Sequence, residues 1–431
     1  MDAASLSLGA LLVAIIISCT VRLHVGFLAI SLAWVVGVYG ADMSVREVMA
    51  GFPTNLFLTL AGVTLLFSQA QANGTLDLIA QKAVRLCKGN VGMMPIMFFF
   101  LAFTLSSIGP GPIASTALVA PMGMAVAGQV GITGFLTAIM ISHGALAGAL
   151  SPIGPTGVIV NGIMEQMGLG GYETLTYVNN MMAQTVIVFT AYFLLGGWRL
   201  LGRYHFGELV VPTGEIENDG SVSTTPGDFQ QKHWITISVI STLIIGVILF
   251  NVDVGLGAFA CAIILALLKA GDESEAVNLM PWRVIMMVCG VTVLISVLDA
   301  TGGLALFTRM LAGISSVNTV TAIMAFTTGF ISIFSSTSGV VLPAFLPTVP
   351  ALAQQIGDVE PLAIASSMIV GAHMVDVSAL STLGALCMAA APKHENSRKL
   401  FNKLMGWGLS MTVVGGTTCW LLFTVLKIGL S

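Results

Sequence analysis

Residues 106–112 read Ser106-Ser107-Ile108-Gly109-Pro110-Gly111-Pro112 and interrupt an apolar stretch that runs from about 92 to 128. A membrane-crossing helix needs about 20 residues, so the stretch is too long for one span. It breaks where proline removes a backbone donor and glycine opens conformations closed to other residues. The pattern predicts a helical hairpin that enters a membrane and returns to the same side. A second long apolar stretch, about 317–356, breaks at Ser335-Ser336-Thr337-Ser338-Gly339 and carries the same prediction.

Working outward from these hairpins, ten further spans fall at about 5–21, 25–40, 55–73, 132–167, 179–198, 234–250, 254–270, 283–300, 361–391 and 406–426. The chain of 431 residues is 56% hydrophobic and 8% charged. Soluble domains average about 25% charged residues, so a soluble globular fold is excluded. Charge placement tests the threading. With the N-terminus outside and ten crossings, 13 basic residues face the cytoplasm (Arg22, Lys82, Arg85, Lys88, Arg199, Arg203, Lys232, Lys269, Arg283, Lys393, Arg398, Lys399, Lys403) and 3 face out (Arg46, Arg309, Lys427). That is the positive-inside bias, and counting either hairpin as a crossing scrambles it. Both termini are then outside a bacterial inner membrane. Asp2 is the only charge before the first span, which argues against a cleaved signal peptide.

Residues 202–233 form the one long polar stretch and read as a cytoplasmic linker. Thr75–Asn90 and Gly303–Ser316 read as amphipathic helices in the interface. The six cysteines (Cys19, Cys87, Cys261, Cys289, Cys387, Cys419) show no CxxC spacing and read as buried free thiols.

The halves 1–201 and 234–431 resemble each other. Gly62-Val63-Thr64-Leu65-Leu66 matches Gly290-Val291-Thr292-Val293-Leu294, and Pro121, Gln129 and Gly131 match Pro347, Gln355 and Gly357. At a spacing of 230, His143 pairs with His373, Ser151 with Ser381 and Leu146 with Asp376. Five crossings per half is an odd number, so the second copy must be inverted. The predicted fold is an all-α polytopic membrane protein of two inverted repeats, each with five transmembrane helices and a re-entrant hairpin. This is a common plan of secondary transporters.

Four breaks occupy corresponding places: the two hairpin tips, and Ser151-Pro152-Ile153-Gly154-Pro155-Thr156-Gly157 and Ser381-Thr382-Leu383-Gly384 within the long helices. Unwound backbone at membrane depth is tolerated only in protein or against a cavity, where it exposes helix N-termini to anions and carbonyls to cations. The expected substrate-binding residues are Ser107, Gly109, Pro110, Ser151, Pro152, Thr156, Asn161, Ser336, Thr337, Ser381 and Thr382. The expected cation-binding residues are Ser106, Ser107, Gly109, Gly154, Ser335, Ser336 and Gly384. The alternative for each hydroxyl is that it caps a helix or bonds a carbonyl one turn back. No charge occurs in 91–164 or in 310–357, so an anion must be held by N–H groups, hydroxyls, dipoles and a co-bound cation. Asp376, His143 and His373 are candidate proton or hydrogen-bond sites. No HExxH, GxSxG or paired intramembrane acid occurs, so no enzyme activity is expected, and no cofactor beyond a coupling ion.

At Gly109-Pro110-Gly111, Ser151 through Gly162, Ser335 through Gly339 and Val375-Asp376-Val377-Ser378, the chain resembles MatC-type dicarboxylate carriers, within the divalent anion:sodium symporters of the ion transporter superfamily. The resemblance implies a homodimeric elevator. Its scaffold would span about 1–90 and 234–316, and its transport domain about 91–201 and 317–431. It implies malonate- or succinate-like cargo, with Na⁺ a better fit than H⁺ as coupling ion. Both tips depart from the symporters' Ser-Asn-Thr by lacking Asn. The competing reading is the large membrane subunit of a tripartite, binding-protein-dependent dicarboxylate transporter.

Overall fold

The computed structural model describes residues 2–20, 23–84, 89–205, 228–250, 252–392 and 395–429. The expectations for Arg22, Arg85, Lys88, Lys393, Cys87 and linker residues 206–227 lie outside these residues. Among the described residues the chain is helical apart from one isolated antiparallel bridge, Asn90–Tyr204.

The first half runs α1 (Ala3–Thr20), α2 (Val25–Trp34, extended by a π-helical turn Val35–Gly40), α3 (Val45–Ala50), α4 (Thr54–Ala72) and α5 (Thr75–Val84). The hairpin α6 (Met93–Ile108) and α7 (Gly111–Val130) follows, then α8 (Gly134–Ala147), α9 (Pro155–Gln166) and α10 (Glu173–Leu194). The second half runs α11 (Gln231–Phe250), α12 (Val254–Leu267), α13 (Glu273–Leu279), α14 (Trp282–Ala300), α15 (Gly303–Gly313) and α16 (Val320–Ser332). A helical return arm, Thr337–Ile356, begins as a π-helical turn and contains α17 (Leu342–Phe345) and α18 (Val349–Ile356). Last come α19 (Pro361–Val375), α20 (Thr382–Ala389) and α21 (Ser397–Cys419, extended to Val425). Among the described residues, four helices are long and apolar enough to cross a membrane: Gly111–Val130, Trp282–Ala300, Thr337–Ile356 and Ser397–Val425.

All ten expected spans contain helix, and the two longest divide where the sequence predicted. Two short helices, α3 and α13, were not expected. Ser44 accepts from the Glu47 N–H while Glu47 accepts from the Ser44 N–H, a reciprocal cap on α3. Asp272 caps α13 through the Glu275 N–H. Each is about two turns or less, too short for hydrophobic periodicity to declare it.

Glycines set the helix packing. A Cβ on Gly26 would overlap the Met286 backbone, and one on Gly290 would overlap the Gly26 backbone, so α2 and α14 touch main chain to main chain. Gly62 on α4 and Gly255 on α12 meet in the same way. Small residues permit such approach where lipid supplies no hydrophobic drive between helices. Polar ties lock the ends of these helices. Ser7 Oγ lies 2.6 Å from Thr301 Oγ1, and Asn73 Nδ2 donates to Thr236 Oγ1 at 2.7 Å and to the Ala270 carbonyl at 2.8 Å. Asn73 Oδ1 also accepts from the Thr75 N–H and hydroxyl. Asn73→Ala orphans several of these buried partners and is expected to cost about 3 kcal/mol. An unchanged melting temperature in detergent would contradict this.

The element series recurs. Helices α4 and α14 begin and end 228 residues apart, and so do the ends of α8 and α19. This corrects the sequence pairing at 230. The starts of α8 and α19 lie 227 apart, and the bond from the Asp376 N–H to the His373 carbonyl repeats the bond from the Ala149 N–H to the Leu146 carbonyl, so Ala149 rather than Leu146 corresponds to Asp376. Likewise Ser151 corresponds to Ser378. The Ser151 carbonyl accepts from the Gly154 N–H and presses on Gly157; the Ser378 carbonyl accepts from the Ser381 N–H and presses on Gly384. Both breaks contain a serine three residues before a glycine (Ser151 and Gly154, Ser381 and Gly384), and matching letters alone slips by that amount.

Candidate functional site

Each hairpin tip packs against the helix break of its own half. In the first half α8 ends at Ala147, and hydrogen-bonded turns carry the chain to Gly154, where Pro155 opens α9 without needing an N–H. The tip turns through Gly109 (φ 154°) and Gly111 (φ 78°), conformations that favour glycine. A Cβ on Gly111 would lie 3.0 Å from Pro155 Cδ, and one on Gly154 would lie 3.4 Å from the Ser106 carbonyl. In the second half the Thr337 hydroxyl reaches Ser332 Oγ (3.2 Å) and the Ala372 carbonyl (3.4 Å) and faces the Asp376 carboxyl. Ser378 Oγ donates to the Ile333 carbonyl at 3.4 Å.

A cavity of about 220 Å³ lies among the first tip, the first break, α4 and the start of α14. Four helix starts contribute to its wall: Gly111 of α7, Thr156 of α9, Pro281 preceding α14, and Ser338 of the return arm. Helix N-termini carry free N–H groups and about half a positive charge each, a ready setting for an anion. Among the described residues, no charged side chain lines this cavity. Thr64, Ser68 and Gln71 of α4 supply its remaining polar wall, with Phe67 beside them.

The expected site residues divide. Pro110 and Thr156 line this cavity, while Gly109 and Gly154 shape it from behind. Pro152 and Asn161 line a different cavity of about 760 Å³, shared with Asn55, Glu165, Glu173 and Asp253. Ser107 Oγ lies 2.9 Å from the Tyr177 hydroxyl. Ser106 Oγ is buried without a partner, as are Ser115 Oγ and Thr116 Oγ1 on α7. Ser151 and Ser335 are buried at the break and at the second tip. Ser336 caps the return arm through the Gly339 N–H. Ser381 caps α20 and donates to the carbonyls of Asp376 (2.6 Å) and Ser378 (2.7 Å), with Thr382 the first residue of α20 and Gly384 beneath the turn. Sequence reading missed Thr64, Phe67, Ser68 and Gln71, although a polar i, i+4, i+7 stripe within an apolar span was there to be seen.

The two histidines are held separately. Indole is only a donor, so His143 Nε2 must accept from Trp407 Nε1 (3.0 Å), leaving Nδ1–H to donate to Gln184 Oε1 at 2.6 Å. His373 Nδ1 donates to the Ile369 carbonyl at 2.8 Å. Both rings are hydrogen-bonded in place. Trp407→Phe orphans His143 Nε2 and is expected to cost about 1–3 kcal/mol, with uptake per folded molecule unchanged; lost uptake at full folded yield would give the ring a larger role.

The helical hairpins, broken helices and apolar helices of spanning length define the architecture of a multi-pass membrane protein. The comparisons agree: residues 1–149 match the family described as the dicarboxylate carrier protein MatC N-terminus, which meets the expected resemblance over that region. Among solved structures, the Alcanivorax borkumensis YdaH transporter superposes with a TM-score of 0.57 over 89% of this chain and 88% of that one, at 12% identity, and so shares the fold. No curated protein sequence matches. Both matches are to transport proteins, in agreement with the reading that the chain is not an enzyme.

Proposed function

We propose that this chain is a secondary active transporter of small C3–C4 dicarboxylates such as malonate or succinate. The observation that carries the reading is the convergence of four helix starts on one cavity that lacks charged side chains. Partial positive charge and N–H groups attract a carboxylate there, while the absence of a fixed cation leaves the second charge to be balanced by a co-bound ion. Na⁺ suits the hydroxyl and carbonyl oxygens at the tips, since hard cations take oxygen ligands. Ser106, with its buried unpartnered hydroxyl near Gly154, is the leading ligand at the first tip, and Ser335, Ser336 and Gly384 are the corresponding candidates at the second.

In this reading the two halves are inverted repeats in a bacterial inner membrane with both termini outside. The exchanged crossings, α2 on α14 and α4 on α12, support a two-fold relation between the halves. The group 1–90 with 234–316 acts as the scaffold of a homodimer, and 91–201 with 317–431 moves as an elevator. The test is uptake of radiolabelled malonate and succinate into liposomes holding only this chain, with Na⁺ and proton gradients imposed separately. Saturable uptake driven by the Na⁺ gradient is expected. Uptake by this chain alone eliminates the tripartite alternative, uptake that follows only the proton gradient overturns the Na⁺ assignment, and no uptake of either acid under either gradient overturns the substrate.

A further inference from the structure

Among the described residues, Phe67 is the only aromatic side chain lining the cavity, and it is buried there on α4. Its ring lies where a Cβ on Gly109 would sit, so the hairpin tip folds directly over the ring face. The ring therefore cannot swing toward the tip to enlarge the space beside it. Its neighbours Thr64 and Gln71, one turn away on either side, are the polar wall.

The fold itself does not require this pair. In the second half the residue corresponding to Phe67 is Ile295, 228 positions on, and the residue corresponding to Gly109 is Ser335, 226 positions on, by the recurrence of the α4/α14 and α7/return-arm starts. A branched aliphatic residue and a serine serve there, so the aromatic ring against a glycine belongs to the one hairpin tip, Pro110 to Ala114, that borders the cavity along its turn.

We propose that Phe67 determines specificity by fixing the length of acid the cavity admits, with Gly109 as the seat that holds its ring in place. The proposal rests on the cavity being the cargo site, as argued above. Short acids fit beside the ring; longer or branched ones meet it.

The test measures inhibition of labelled succinate uptake by unlabelled acids of three to six carbons, in the wild-type chain and in Phe67→Leu and Phe67→Ala. Phe67→Leu guards against simple loss of fold, and melting temperature in detergent is recorded for each. In the wild type, glutarate and adipate inhibit weakly. In Phe67→Ala their inhibition constants relative to that of succinate fall at least tenfold, and in Phe67→Leu they fall by an intermediate amount. A merely structural role would lower the amount of folded protein and leave these ratios alone; ratios within twofold of wild type in both variants overturn the proposal.

A second arm needs no cargo. Thr156→Cys, on the cavity wall, is labelled with thiol reagents of increasing size in the presence of Phe67 or of Phe67→Ala, against the same chains without the added cysteine. The largest reagent that reacts is expected to increase in size when the ring is removed, and an unchanged size limit overturns the proposal. If no dicarboxylate is taken up by any chain, the functional reading falls, and the thiol arm still decides the role of Phe67.

Discussion

Gly290→Val is expected to leave little folded protein in detergent, with a loss of about 3 kcal/mol or more. Overpacking a well-packed interior costs about 1–3 kcal/mol when side chains can shift, and occasionally more. Here the obstacle is the Gly26 backbone on α2, which has no rotamer to change. Gly62→Val on α4, which meets the Gly255 backbone of α12, is expected to behave alike. Gly406→Ala on α21 is the internal control: nothing lies within 4 Å of its Cβ position, so the change should be neutral or slightly stabilising, as alanine is the better helix former. Folded yield and melting temperature for the three variants check the argument, and a Gly290→Val protein as stable as wild type would refute the main-chain contact.

Gly157→Ala and Gly384→Ala are expected to spare the fold more than the transport. The carbonyls of Ser151 and Ser378 lie against these glycines, so an added methyl must push each turn away from its helix start. For Gly157 that displacement moves Thr156 and the first N–H groups of α9 at the cavity wall. Ångström-scale misplacement of binding groups costs enzymes up to about a hundredfold, and on the order of a tenfold or greater loss of uptake is expected here. Wild-type uptake by folded Gly157→Ala would place the cargo away from this break.

Most of the helical layout was legible because membrane helices are long and apolar and their interruptions consist of Gly, Pro and Ser, whose effects are local. The hairpin at Gly109-Pro110-Gly111 and the breaks at Gly154 and Ser381 came from that chemistry alone. The α3 cap was legible too, as Ser44 three residues before Glu47, but six residues are too few for a period to draw the eye. What stayed hidden depends on which residues of different helices face one another. Nothing local distinguishes Ser107, bonded to Tyr177, from Ser106, buried without a partner. Nor does the sequence around Gly109 announce a phenylalanine 42 residues earlier lying against it. The repeat register slipped by three residues near the breaks because similar letters recur within one helical turn, and only helix boundaries and turn hydrogen bonds fix which residue stands where.

The uncharged wall of the cavity also bears on voltage. Moving one elementary charge through a membrane potential is worth about 2.3 kcal/mol per 100 mV. Helix dipoles attract an anion yet add no net charge to the wall that would travel with it. In a carrier of the proposed kind the electrical work done at the cavity is therefore set by its passengers. The loaded stroke feels the field according to the sum of acid and ions aboard, and the empty return contributes none from the cavity wall.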